Sequence, residues 1–363
     1  MKQQSKKKTL MEREILIGRV SLTQKALFAK HLSIMLKAGL PITEALSIAQ
    51  DSAVGKLKKT LGKILKSVEA GKSLSESFGR YPKVFSDFFV KSVYTGEKSG
   101  TLVENLENIA EQLEKEKNLI SKIKGAMLYP IIILATVFVL GMVLAFLVLP
   151  KITPLFEGLK IDLPFTTRAL IWFSHFIQDY SFYLFFGIIA FLIFMTWLLR
   201  QKFIKPVTHW LFLNTPILKN IVRKANLARF CRTLAMLLKS GVNIDEALKI
   251  IRDTMGNYYY RSAIAKVSES IRKGTKLSEN LSQFSNIFPI MLTRMVKVGE
   301  ESGKFEETLF YLANLYEVEV DNSVKTLSTI IEPVLLIVIG LTVGFLALSI
   351  ITPIYDITGG IKR

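Results

Sequence analysis

A stretch of 24 residues occurs twice in this chain. Residues 28–51, FAKHLSIMLKAGLPITEALSIAQD, return 202 positions later as residues 230–253, FCRTLAMLLKSGVNIDEALKIIRD, and 11 of the 24 aligned positions are identical. Identity that dense at a fixed offset marks a duplicated unit, so any fold must house the unit twice. The correspondence continues at an offset of 203. Gly71 matches Gly274 and Phe85 matches Phe288, and Gly96-Glu97-Lys98-Ser99-Gly100 matches Gly299-Glu300-Glu301-Ser302-Gly303. Pro130 then matches Pro333, and Pro150 matches Pro353. A unit this long is not one of the roughly 20–50-residue repeats that build solenoids.

Each copy reads as a run of helices. Ser21 and Gln24 form a capping box, and Leu22, Ala26, Ala29, Leu32 and Leu36 recur on one helical face. Gly39 ends that helix and Pro41 opens the next. In the second copy Gly241 is the stop, and Asn243 starts a capping box with Glu246, the counterpart of Glu44. A third helix is stopped by Gly71, and Ser73 with Glu76 caps a short fourth. Tyr81-Pro82 breaks the chain, Phe85 opens a fifth helix, and the Gly-Glu-Lys-Ser-Gly turn closes it. Thr101 with Glu104 caps a sixth, which leads into an apolar segment. No stretch alternates with period two, so no sheet is expected. Two six-helix bundles follow from this reading.

Three windows, 126–149, 182–199 and 333–351, contain no charged residue. The first makes a helix of roughly 36 Å, against a bilayer core of about 30 Å, and the other two are short but sufficient. The opening MKQQSKKK runs into a charged, amphipathic stretch and does not read as a secretory signal. Lys115, Lys117, Lys122 and Lys124 precede the first window, and Arg200, Lys202 and Lys205 follow the second. By the positive-inside rule both flanks are cytoplasmic. The middle window has no partner in the duplication, and it is the crossing that returns the second copy to the side of the first. The expected organisation is a basic tail (1–20), a cytoplasmic helical module (21–125), a first span (126–150), an external loop (151–181), a second span (182–199), a second cytoplasmic module (200–332), a third span (333–353) and an external C-terminus (354–363). The fold class is therefore an all-α membrane protein with two homologous cytoplasmic six-helix bundles and three transmembrane helices.

Little in the chain suggests catalysis. Cys231 is the only cysteine, and His31, His175 and His209 lie far apart with no metal-ligand spacing. Gly71-Lys72-Ser73 resembles the end of a phosphate loop, but Lys66 stands where its first glycine belongs. No catalytic, cofactor or metal site is expected. The net charge of +18 sits on helices that also carry acids, without a nucleic-acid-binding motif, so anionic lipid is its expected partner and nucleic acid is not. Spans without ionisable residues do not suggest a transport path. Partner surfaces remain. Glu104, Glu107, Glu111 and Glu114 form an acidic stripe, open to a solvated-face reading in which Glu111 pairs with Lys115. Leu102, Leu106, Ile109 and Leu113 run opposite it, and Glu300, Glu301, Glu306 and Glu307 repeat the acidity in the second copy. Gly340 and Gly344 form a GxxxG in the last span, which permits close helix approach. Glu332, just before Pro333, is open to a helix-capping or a functional role.

Lys122, Ile123, Ala126, Met127, Tyr129, Pro130 and Pro150, together with the two Gly-Glu-x-Ser-Gly turns and the duplicated Leu-Lys-x-Gly turns, resemble the signature of a known family. It is the platform-protein family of type II secretion and type IV pilus machines (GspF/PilC), and the resemblance covers residues 21–356. It implies a non-enzymatic inner-membrane protein whose cytoplasmic modules dock into a hexameric assembly ATPase. The spans would help lift pilin-like subunits from the bilayer, among other inner-membrane assembly proteins, with the platform itself a homo-oligomer. The residues expected to meet the ATPase or the pilins are Gly96, Glu97, Gly100, Glu104, Glu107, Glu111, Gly299, Glu300, Glu301, Gly303 and Glu306. Pro130, Pro150, Pro333, Gly340, Gly344 and Pro353 are expected to shape packing in the membrane. A membrane-anchored scaffold without a motor, and a small-solute transporter, are the alternatives.

Overall fold

The computed structural model describes residues 20–143, 146, 151, 154, 164–201 and 204–360. Pro150, residues 1–19 of the basic tail, most of 151–163, Lys202 and the last three residues lie outside the described residues. The described residues form fifteen α-helices and no strand. In the first copy these are α1 (Leu22–Lys37), α2 (Ile42–Ser52), α3 (Gly55–Glu69), α4 (Leu74–Gly79), α5 (Asp87–Ser99) and α6 (Leu102–Val143). Then come α7 (Phe165–Asp179), α8 (Ser181–Arg200) and α9 (Lys205–Asn214). The second copy supplies α10 (Pro216–Lys239), α11 (Ile244–Thr254), α12 (Tyr258–Ile271), α13 (Leu277–Ser282), α14 (Ile290–Ser302) and α15 (Phe305–Gly360). Helix for helix, α1–α6 correspond to α10–α15.

Two compact units result. One takes its residues from Met1–Ser121 and His209–Asp321, and so holds both helical modules. In the first module Phe28, Phe78, Phe85 and Phe89 form a buried aromatic cluster, with centroids 4.5 Å apart for Phe78 and Phe85 and 4.8 Å for Phe85 and Phe89. The second module keeps Phe230 and Phe288 at these positions but has Leu281 and Leu292 for Phe78 and Phe89. It restores volume with the fully buried Tyr260 where the first has Leu57, and the Tyr260 hydroxyl donates to the Ile287 carbonyl at 3.2 Å. A core tolerates such exchanges when total volume and patterning are kept.

Local capping follows the sequence in part. Ser21 and Gln24 make their box, and Ser73 accepts the N–H of Glu76. Asn243 occupies the N-cap of α11 without a side-chain bond, and the Glu246 side chain, which the reciprocal half of the box would need, pairs instead with Lys91 of the first module. Thr101 does not cap α6 with its hydroxyl, which meets the Ser99 hydroxyl at 2.6 Å and accepts from Asn105 at 3.5 Å.

The second unit takes its residues from Lys122–Thr208 and Asn322–Arg363. Among the described residues, three helices are long and apolar enough to cross a membrane, within Leu102–Val143, Phe182–Leu199 and Phe305–Ser349. Their apolar side chains are outward, as at Ile132, Phe138, Phe191, Phe194, Ile337 and Leu341, which suits hydrocarbon rather than water. Polar side chains in the spans bond back to their own helix: Thr136 donates to the Ile132 carbonyl and Thr342 to the Val338 carbonyl.

Pro130 and Pro333 lie inside α6 and α15, and one expectation needs correction. Glu332 is likewise interior to α15 and caps no helix start. The amphipathic first part of each helix is already formed by packing, and in lipid an unravelled turn would cost more than the single hydrogen bond a proline removes. The segment expected as an external loop contains α7, whose exposed Trp172 stacks on Phe176 at 5.6 Å and whose Thr167 donates to the Ser349 carbonyl of α15 at 2.9 Å.

Candidate functional site

The Gly-Glu-x-Ser-Gly turns, expected to face partners, have a role within the fold. A Cβ added to Gly96 would stand 2.9 Å from the Leu102 Cα and 2.9 Å from the Asn105 side-chain amide. At Gly299 it would stand 2.9 Å from the Thr308 hydroxyl and 3.3 Å from the Phe305 Cα. The first glycine thus lets α5 approach α6, and α14 approach α15, at backbone distance. The last glycine, Gly100 or Gly303, closes the helix at φ +74° or +72°, a conformation costly for other residues.

Between them, the glutamate reaches back across its module. Glu97 accepts the backbone N–H of Leu74 at 2.5 Å and of Ser75 at 3.0 Å, the first turn of α4. Glu300 does the same for Leu277 at 2.7 Å and Ser278 at 3.2 Å. A carboxylate on open first-turn N–H groups satisfies donors and complements the helix dipole. Both oxygens are engaged and both side chains are half-buried.

The acidic stripe fares differently. Glu104, Glu111 and Glu114 are exposed and Glu107 half-exposed along α6. With Lys30 of α1 and Lys239 of α10 they line an open groove of about 590 Å³. Glu107 pairs with Lys37 at 3.3 Å. Lys115 does not pair with Glu111; it turns to Glu317 of the second module at 3.9 Å. Glu301 pairs with Lys297 at 3.9 Å and Glu306 is exposed.

In the second module the equivalent groove is filled. Arg232, the counterpart of Lys30, is 4 % exposed. It donates to Glu317 through Nε at 3.0 Å and Nη2 at 2.8 Å, donates to the side-chain Oδ1 of Asn314 at 2.5 Å, and lies 5.8 Å from the Phe310 ring centre. Sequence reading missed this site. Its signal was present: at the positions of Glu107, Glu111 and Glu114 the second copy has Phe310, Asn314 and Glu317, a set that holds one guanidinium.

Also missed was the seam between modules. α10 and α11 of the second module lie against α5 and α6 of the first. Arg229 donates to Glu116 at 3.1 Å, Gln112 to Thr233 at 3.2 Å and Lys239 to Asn108 at 3.2 Å, while Lys91 pairs with Glu246 at 2.6 Å. Gly241, at φ +81°, brings the turn before α11 against Thr95, whereas its counterpart Gly39, at φ +88°, and Glu44 face solvent. Burial at this seam holds the Lys25 ammonium below its ordinary pKa, partly offset by Glu116.

No cluster of His, Cys, Asp and Glu able to hold a metal occurs among the described residues. His209 accepts the N–H of Tyr258 at 3.0 Å, and Cys231 is fully buried with its thiol pKa pushed up by desolvation. Around Gly340 and Gly344 no described atom apart from the adjoining residues and backbone of their own helix lies within 4 Å of an added Cβ.

Comparison with known proteins matches a family described as "Type II secretion system (T2SS), protein F" twice, over residues 28–150 and 230–353. The two matches coincide with the two copies of the duplication. Among curated relatives, a type IV pilus assembly protein PilC of Myxococcus xanthus is 33% identical over 365 residues, 98% of this chain and 86% of the relative. A PilC of Thermus thermophilus is 36% identical, covering 92% and 82%. A type II secretion system protein F of Aeromonas hydrophila is 33% identical, covering 93% and 87%.

Proposed function

The chain belongs to the type II secretion system protein F family, and from that premise we propose that it is the inner-membrane platform of a pilus or secretion machine. It couples a cytoplasmic hexameric ATPase to the extraction and polymerisation of pilin-like subunits. Both modules lie in the cytoplasm, with the N-terminus inside and the C-terminus outside. The observation that carries this reading is the joining of the two modules into one unit by direct contacts such as Arg229 with Glu116. A body made this way can take a push at one place and transmit it whole. Contacts with partners are carried by the exposed acids of the stripe, Glu104, Glu107 and Glu111, and by Glu301 and Glu306 on the second module. No step of bond chemistry is assigned to the chain itself.

The absence of ionisable residues from the three windows speaks against a solute path, and the pilus and secretion names of its relatives speak against a motorless scaffold. The test is deletion of this chain in a strain that retains its ATPase and pilin-like subunits. The expected result is that the subunits accumulate in the inner membrane and no filament or secreted product appears. Wild-type assembly in that strain overturns the reading.

A further inference from the structure

The seam between the two modules joins unlike faces of two homologous bodies. The second module contributes the outer face of α10 and the start of α11; the first contributes α5 and α6. Each module therefore keeps one face whose counterpart is buried in the other copy. On α1 the stripe Leu27, His31, Ile34 and Ala38 is exposed, Leu27 and Ile34 by 53 and 50 %. Of the corresponding Arg229, Thr233, Met236 and Ser240, the last three are buried. The other unpaired face is on α14 and α15. There Met291, Val298 and Tyr311 are exposed by 51, 55 and 53 %, whereas their counterparts Phe88 and Asn108 are buried and Thr95 touches Gly241.

These two faces also match in content. Where the seam has hydrophilic Thr95, Asn108 and Gln112, the free face has Val298, Tyr311 and Leu315. Where the seam has Arg229 and Ser240, the free face of α1 has Leu27 and Ala38. Both sides have become more apolar together, as an interface does when neither half is met within its own chain. The one ion pair of the seam that a swap would preserve is preserved: Lys91 with Glu246 becomes Arg294 with Glu44. Glu44 and Arg294 are both exposed, and neither forms an ion pair among the described residues.

We propose that the α14–α15 face of one chain docks on the α1–α2 face of a second copy, repeating between chains the contact that joins the two modules within one. Such a contact is head-to-tail. It uses two different patches, so successive copies add in one direction and close into a ring when the rotation permits. Self-association then follows from the duplication itself, with alternating intra- and intermolecular seams, independently of the glycines of the last span.

Two chains, each carrying one added cysteine beside the buried Cys231, test this, coexpressed as full-length proteins in their membrane with different tags. His31→Cys and Leu315→Cys replace the counterparts of Thr233 and Gln112, whose side chains touch at 3.2 Å across the internal seam. Mild oxidation is expected to join the two differently tagged chains into a disulfide dimer, and to leave each variant monomeric when expressed alone. A dimer formed by either variant alone reports a symmetric contact and overturns the proposal, as does a coexpressed pair that forms none. A charge swap gives a second reading. Glu44→Arg and Arg294→Glu are each expected to lower the oligomeric fraction several-fold in detergent, and the double variant to restore it. Failure of the double variant to recover overturns the pairing.

Discussion

Arg232 grips Glu317 with two nitrogens, at 3.0 and 2.8 Å, from a position where its side chain is only 5 % exposed. The pair marks where the two copies diverge. In one copy the space between the first and sixth helices is an open acidic groove; in the other a guanidinium closes it. Removing the arginine takes a buried donor away from the half-buried Glu317 and the exposed Asn314. Arg232→Ala is expected to cost about 1–3 kcal/mol in chemical unfolding of the purified protein, while Lys30→Ala, at the exposed counterpart, stays within about 0.5 kcal/mol.

The paired glutamates give a prediction of matched size in both modules. Glu97→Ala and Glu300→Ala each expose two first-turn N–H groups, and each is expected to cost about 1–2 kcal/mol. The Gln variants keep an acceptor and are expected to lose about half as much. Hydrogen exchange at the starts of α4 and α13 should rise in the alanine variants before any global change.

Gly96→Ala and Gly299→Ala drive a methyl into the next helix at about 2.9 Å. Each is expected to destabilise by about 1–3 kcal/mol. Gly125→Ala, with open space around it in α6, is expected to be neutral or to stabilise by up to about 1 kcal/mol through helix propensity. Thermal unfolding of the three variants side by side checks the sign as well as the size.

Cys231 is expected to be silent to thiol reagents. It is fully buried, and desolvation raises its pKa, so the thiolate that reacts is scarce at neutral pH. A chromogenic disulfide reagent should titrate no thiol in the native protein and one per chain in denaturant.

Much of the fold was legible because its signals are local or periodic. Ser21 with Gln24, the stops at Gly39 and Gly241, and the buried run Leu106, Ile109, Leu113 all act within a turn or two of helix. The duplication supplied the rest of the organisation, since an unpaired apolar window had to stand between two homologous modules. Roles that depend on distant partners were not legible. Glu97 looks like a surface acid until Leu74, 23 residues earlier, is placed beside it. Asn243 and Glu246 satisfy a capping rule, yet Lys91 from the other copy outbids the backbone. Arg232 reads as a conservative change from Lys30, and only the neighbours contributed by α15 show that it is buried.

The central claim is that this two-module body is the part an assembly ATPase grips. Its most direct test is affinity purification of the tagged full-length protein from native membranes, as wild type and as Glu104→Lys/Glu111→Lys, which changes exposed acids outside the core. The hexameric ATPase is expected to co-purify with the wild type, and to fall at least about tenfold in the variant, the equivalent of about 1.4 kcal/mol, while membrane insertion is unchanged and filaments or secretion are lost. Equal recovery of the ATPase with both proteins, or with neither, would contradict the account.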